Sequence, residues 1–305
     1  MKQTGQNIFD PRLGKRPARF VGREDILRDA RAMIGDPDEE KKVMIFSGIR
    51  GSGKTALLAE IKAGLDPGSP ALILDDASRD TPELNKALAS VSRGNEKNKT
   101  ALILAGTPHA LDELLKDERF SFLRGGRKVG LANILIEEVY YLFEDVFGAG
   151  EGLDDDAAEA GRNDVLRRAA EATIGYPYLI QLIGYYLSKE ENGIDDKAVD
   201  RAVFRAKIEL YKNIHEPLVW SLSSKDRMFL WSMAQDEGAS EFGEIAKRMD
   251  VSTGYASKYR ERLIGADVIY SSAYGELSYT LPYMKEYVEK EYVERFGGEG
   301  GKRRL

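Results

Sequence analysis

Three short apolar runs, Val43–Phe46, Ala71–Leu74 and Ala101–Ala105, lie in the first half of the chain. Each is continuous rather than alternating, the pattern of a strand buried on both faces of a parallel sheet. Helical periodicity separates them at Lys54–Lys62 and Glu83–Val91. It also precedes them at Glu24–Ile34, where Gly35-Asp36-Pro37 gives a stop signal. A fourth strand is predicted at Lys128–Leu131. Strands alternating with helices predict an α/β domain. Before them, Pro11 and Pro17 discourage regular structure, so residues 1–20 read as an irregular arm.

The pattern changes after Phe147. Gly148–Asn163 is rich in Gly, Ala and acids and reads as a loop or weak helix, followed by helices at Asp164–Thr173, Tyr178–Ser188 and Asp196–Tyr211. Leu179, Leu182, Ile183 and Tyr186 recur at helical spacing and are expected to face a core. From Pro217 the chain reads as short helices, Lys225–Ala234, Phe242–Met249 and Thr253–Ile264, with a turn at Asp250-Val251-Ser252. Two strand-like pieces, Val268–Ser271 and Glu276–Thr280, then pair around Ala273-Tyr274-Gly275. The Gly-rich end, Phe296–Leu305, reads as a mobile tail.

Composition narrows the chemistry. The 305 residues include 45 Lys and Arg against 51 Asp and Glu, a net charge of −6, so no global positive field draws the molecule to nucleic acid or anionic membrane. A nucleic-acid surface would have to be local. There is no cysteine, which excludes disulfides, thiolate metal sites and thiol nucleophiles. His109 and His215 are the only histidines, which argues against polyhistidine metal sites and Ser-His relays. No apolar run approaches the ~18 residues that span a bilayer, and Met1–Phe20 lacks the apolar centre of a signal peptide. A cytoplasmic protein without a membrane partner is expected.

Gly48-Ile49-Arg50-Gly51-Ser52-Gly53-Lys54-Thr55 matches G-x-x-x-x-G-K-[ST] in full, between an expected strand and an expected helix. Backbone N–H groups converge on phosphates in such a loop because glycine leaves them unobstructed. The helix that runs on through Ala56 adds its positive end. Lys54 is expected to reach the outer phosphates of ATP, and the Thr55 hydroxyl to ligate Mg²⁺. A carboxylate on the metal is also needed, and Leu72-Ile73-Leu74-Asp75-Asp76 has the form of a Walker B strand. Asp75 would hold Mg²⁺ through water, and Asp76 would orient the attacking water. The rival reading makes Asp75-Asp76 the plain end of a second strand.

Phe20-Val21-Gly22-Arg23-Glu24, upstream of the loop, resembles the box that opens many AAA-type ATPases. With Gly175-Tyr176-Pro177 and the C-terminal region, the resemblance covers nearly the whole chain. It points to bacterial AAA and STAND-like ATPases with a C-terminal winged helix and, more distantly, to origin-recognition ATPases. The resemblance implies an arm (1–20), a P-loop α/β domain with an AAA-type parallel sheet (21–148), a helical lid (149–215), a winged helix (216–292) and a tail (293–305). It makes Phe20, Val21 and Gly22 candidate base contacts, which a plain core role would equally explain. It gives Thr107, after Ala101–Gly106, the place of sensor 1, and Pro177 a place near the adenine or ribose. Arg124 or Arg127 would be a finger serving a neighbouring subunit's nucleotide, or a solvated surface arginine. Two features depart from the family: only Ala56–Leu74 separates the Walker motifs, which leaves out an edge strand, and Asp76 stands where Glu is usual.

In a winged helix, Thr253–Ile264 would enter the major groove and offer Lys258, Arg260 and Arg262 to DNA. Glu244, Asp250, Glu261, Asp267 and Glu276 offset those cations, so a protein-contact or autoinhibitory module is the alternative. The expected function is an ATP-dependent switch with slow hydrolysis, acting on DNA or on a DNA-recruited partner. The alternative is a non-catalytic ATP/ADP sensor. A small-molecule kinase would give a winged helix no role.

Overall fold

The computed structural model describes residues 8–36, 42–66, 71–91, 100–148, 156–191 and 193–296. The chain divides into two compact units, residues 1–209 and 210–305. The expected tail beyond residue 296 lies outside the described residues.

The first unit is built on four parallel strands, β1 (Val43–Ser47), β2 (Ala71–Leu74), β3 (Ala101–Gly106) and β4 (Arg127–Gly130), in the order β2-β3-β1-β4. All six residues of β3, which lies between β1 and β2, are buried. Alternate residues of each strand go to opposite faces. Met44, Phe46, Ala101, Ile103 and Ala105 join the core beneath α1 (Glu24–Gly35) and α2 (Lys54–Ala63). Ile45, Leu102 and Leu104 join the core beneath α3 (Pro82–Val91), α4 (Pro108–Lys116) and a 3₁₀ segment, Glu118–Gly125. The continuous apolar runs are explained by these two covers. Among the described residues β2 forms one edge of the sheet, as the short connection between the Walker motifs leads one to expect.

Helices α5 (Ile136–Phe147), α6 (Asp156–Ala172), α7 (Pro177–Leu187) and α8 (Asp196–Leu210) follow. Of the expected loop or weak helix at Gly148–Asn163, residues 156–163 belong to α6, and residues 149–155 lie outside the described residues. In α7, Leu179, Leu182 and Ile183 are fully buried, as their spacing predicts, whereas Tyr186 is only partly buried. The arm is irregular but docked. Phe9 is 3% exposed, stacks on Phe147 and meets Phe143 edge-on, and its ring lies where a Cβ on Gly184 would fall 2.5 Å away. The Asp10 N–H donates to Gln181 Oε1 at 3.0 Å, and Arg16 pairs with Glu60 of α2.

The second unit opens with one turn of π-helix, Tyr211–His215, and a short helix, α9 (Glu216–Trp220). Then come α10 (Ser224–Ala234), β5 (Ser240–Glu241), α11 (Phe242–Arg248), α12 (Thr253–Gly265), β6 (Ile269–Ala273), β7 (Glu276–Tyr279) and α13 (Met284–Phe296). The strands form an antiparallel sheet of order β5-β7-β6. Phe229, Leu230, Ile245, Leu263 and Ile269 are buried in this unit. Ser223 and Ser252 cap α10 and α12 through their side-chain oxygens. No helix among the described residues is long and apolar enough to cross a membrane.

Candidate nucleotide-binding site

The loop Gly48–Gly53 leaves the end of β1 and enters α2, at the C-terminal edge of the parallel sheet, where open α/β sheets bind ligands. Gly53 caps α2 at φ +88°, a conformation that side-chain-bearing residues avoid, and so turns the chain sharply into the helix. Lys54 is buried, and its Nζ donates to the carbonyls of Gly48 at 2.9 Å and Ile49 at 3.0 Å. The ammonium is thus held inside the loop's own curve. Ser52 is 2% exposed and its hydroxyl has no hydrogen-bond partner, an orphan that a phosphate oxygen would satisfy.

The Thr55 hydroxyl donates to Asp75 Oδ2 at 2.5 Å. Asp75 Oδ1 accepts from the Asp76 N–H at 3.0 Å, so both carboxylate oxygens are oriented. The two residues expected to hold the metal are therefore adjacent, although 20 residues separate them in sequence. Both are exposed at the sheet edge, ready for a hydrated ion. Among the described residues no three acidic or imidazole groups gather as a metal cage. That donor set suits Mg²⁺, which is typically held by one or two carboxylates together with substrate phosphates and water. Asp76 adopts φ +48°, a left-handed conformation that Asp tolerates better than most residues.

Thr107 follows β3, whose end is tied to both neighbours. The Gly48 N–H donates to the Gly106 carbonyl at 3.2 Å, and the Ala77 N–H to the Ala105 carbonyl at 2.8 Å. Thr107 thereby lies between the start of the loop and the residues after Asp76. It precedes α4 with no side-chain cap bond.

Phe20 packs against the core of β1, α1 and α2, and Gly22 fits against Ile134 and Glu138. Val21, between them, is half-buried. Arg23 donates to the Ala132 carbonyl, and burial lowers its pKa from the ordinary arginine value. Pro177 opens α7 beside Gly53, with its Cβ 3.7 Å from where a Gly53 Cβ would stand. Arg124 is not among the groups brought together here. Its guanidinium donates to the Leu115 and Lys116 carbonyls at the end of α4 and pairs with Glu118 at 2.8 Å.

Sequence reasoning assigned no role to the hydroxyl of Tyr176. The side chain is fully buried, and its O–H donates to the Arg50 carbonyl inside the phosphate loop. Burial holds this phenol far above the ordinary tyrosine range, so it stays a donor. An aromatic directly before a helix-opening proline was the only sequence signal for it.

In the second unit, Arg262 donates to the buried Asp226 at 2.6 Å, and the Arg260 guanidinium lies 4.6 Å from the Phe242 ring centroid. Lys258 is exposed, 5.7 Å from the Tyr255 ring. Of the three expected DNA contacts, Arg262 has a carboxylate partner, while Arg260 and Lys258 each lie over an aromatic ring.

No curated protein matches the sequence. A family model described as a domain of unknown function, DUF8462, matches residues 212–288. Among solved structures, the Walker-type ATPase PABY2304 of Pyrococcus abyssi is similar with a TM-score of 0.62 and 13% identity, covering 92% of this chain and 99% of that one. The ORC2 protein of Aeropyrum pernix, solved in ADPNP–ADP complexes, is similar with a TM-score of 0.60 and 14% identity, covering 97% and 99%. At such identities the likeness concerns the fold. The chain shares with them an α/β fold built on a parallel sheet.

Proposed function

We propose that the protein binds ATP·Mg²⁺ in the loop Gly48–Thr55 and hydrolyses it slowly, as a switch whose nucleotide state governs what the second unit binds. The contact between Thr55 and Asp75 carries this reading, because it unites the expected metal ligands of two separate motifs. The loop N–H groups and Lys54 would receive the phosphates, Ser52 a phosphate oxygen, and Thr55 and Asp75 the ion. When bound, the metal offsets charge on the phosphates; Asp76 and Thr107 orient water and γ-phosphate. Pro177 would border the nucleoside, and Phe20, Val21 and Gly22 would contact its base. The fold shared with an ATPase and with a protein seen with ADPNP and ADP favours this ligand.

Calorimetry on Lys54→Ala tests the reading. Losing a charge-assisted contact worth roughly 1.5–3 kcal/mol should weaken ATP at least about tenfold. Unchanged affinity removes the site.

The three helices α10–α12 followed by the β6–β7 hairpin support a winged helix in the second unit, and DNA is its proposed partner. Lys258 carries the phosphate contact in that reading. The alternative, a non-hydrolysing nucleotide sensor whose winged helix contacts protein, is favoured by the internal partners of Arg260 and Arg262. Phosphate release measured with and without DNA separates the two.

A further inference from the structure

Gly175-Tyr176-Pro177 is fixed more firmly than a helix entry requires. Ile174, a β-branched residue, is held at φ +53°, in the left-handed region such side chains avoid. The Ile134 N–H donates to the Gly175 carbonyl at 2.7 Å, and Asn133 Nδ2 to the Ile174 carbonyl at 2.9 Å. The Gly175 N–H donates to Thr173 Oγ1 at 3.0 Å, and the Tyr176 N–H to the Thr173 carbonyl at 2.9 Å. Gly175 has no alternative, since a Cβ there would fall 1.9 Å from the Ile134 carbonyl oxygen. This bracing delivers one side chain, Tyr176, to the phosphate loop 126 residues earlier in the chain.

The bond falls on a consequential peptide. In a planar trans unit the Arg50 carbonyl and the Gly51 N–H point in opposite directions. Gly51 sits at φ +73°, and glycine lets such a peptide rotate at little cost. A bond that holds the carbonyl toward the lid therefore holds the Gly51 N–H away from it and removes the rotated alternative. Pro177, beside Gly53, meets the same loop three residues further on.

We propose that Tyr176 is a positioning residue that couples α7 to the phosphate loop, so that docking of α7 and affinity for nucleotide rise and fall together. This rests on reading the loop as the ATP site. Coupling of this kind is reciprocal: a loop braced by Tyr176 binds ATP better, and bound ATP holds α7 more tightly by the same factor.

The test uses full-length wild type, Tyr176→Phe and Lys54→Ala. In Tyr176→Phe, the Kd and KM for ATP should rise about five- to tenfold, the worth of one net hydrogen bond, with kcat within about twofold. In the wild type, ATP should slow amide exchange across residues 174–187, and this slowing should shrink in Tyr176→Phe. If Tyr176→Phe binds ATP as the wild type does while Lys54→Ala loses it, the coupling is refuted and the site stands. If Lys54→Ala also binds normally, the site itself is refuted. The exchange measurement on the wild type needs no variant to fold: no ATP-induced slowing across 174–187 overturns the proposal.

Discussion

At the sheet edge of the first unit, polar side chains from separate elements face one another. Thr55 meets Asp75, Lys54 curls onto its own loop, and Tyr176 reaches Arg50. On α12 of the second unit the arginines have partners within the unit, Arg262 the Asp226 carboxylate and Arg260 the Phe242 ring. The first arrangement leaves donors and carboxylates converging on one space, whereas the second spends its cations on the unit's own stability. A phosphate site needs backbone geometry that only certain residues permit, so its motif predicts where side chains go. A row of cations on a helix carries no such constraint, and here a buried carboxylate takes one of them, Arg262.

The largest effect expected on this contrast concerns Asp76. Asn tolerates the left-handed backbone there but cannot act as a base, so Asp76→Asn should lower kcat by about 10²-fold or more with ATP affinity retained. Asp76→Glu should raise kcat if the shorter side chain stops short of the water; a fall would mean that the site is built around Asp. If Asp76→Asn leaves turnover unchanged, Asp76 has no part in catalysis and the convergence stops at metal binding.

Acid should strike the second unit first. His215 is fully buried between Tyr211 and Tyr287, and burial lowers its pKa to about 3. An unfolded imidazole titrates near ~6.5, so below that pH the unfolded chain binds a proton that the folded chain refuses. Stability should therefore fall with pH by about 1 kcal/mol per unit between ~6 and ~4.5, and His215→Gln should flatten that slope in denaturant titrations. Asp10, Asp117 and Asp236, held low by Arg12, Arg119 and Arg248, keep their contribution in this window and lose it only at lower pH.

Arg262→Ala removes the cation from the buried Asp226 carboxylate and leaves it the Ser223 hydroxyl as a donor. Because the arginine is half-exposed, the expected loss is about 1–2 kcal/mol in unfolding free energy, below the cost of breaking a fully buried pair. Its effect on DNA affinity should be no more than that loss of stability explains. Lys258→Ala should give the smallest change: no loss of stability, and a reduction of about 0.9 in the slope of log affinity for DNA against log salt. An unchanged slope in Lys258→Ala moves the second unit to protein recognition.

The sheet and the phosphate loop were legible because their signals are local. β1, β2 and β3 are continuous apolar runs, and the loop is one contiguous motif. Helix α5 carries a local signal too, in the spacing of its buried Val139, Tyr140, Leu142 and Phe143. The role of Tyr176 could not be read in this way, since its partner is a carbonyl 126 residues away and any tyrosine looks alike in sequence. The same holds for Arg262 and Asp226, whose pairing depends on how α10 packs with α12.

The docked arm has a consequence for synthesis. Asp10 and Gln181, which hydrogen-bond, are 171 residues apart, and Phe9 beside Asp10 rests on Gly184. At roughly 5–20 residues per second, the segment carrying Gln181 leaves the ribosome ~10–35 s after the arm does. During that interval the apolar ring of Phe9 has no native surface to cover it, and the arm waits uncovered beside a sheet whose strands are already made. Closing the arm is therefore among the last steps in completing the first unit, and factors that shield nascent apolar segments have their best opening there.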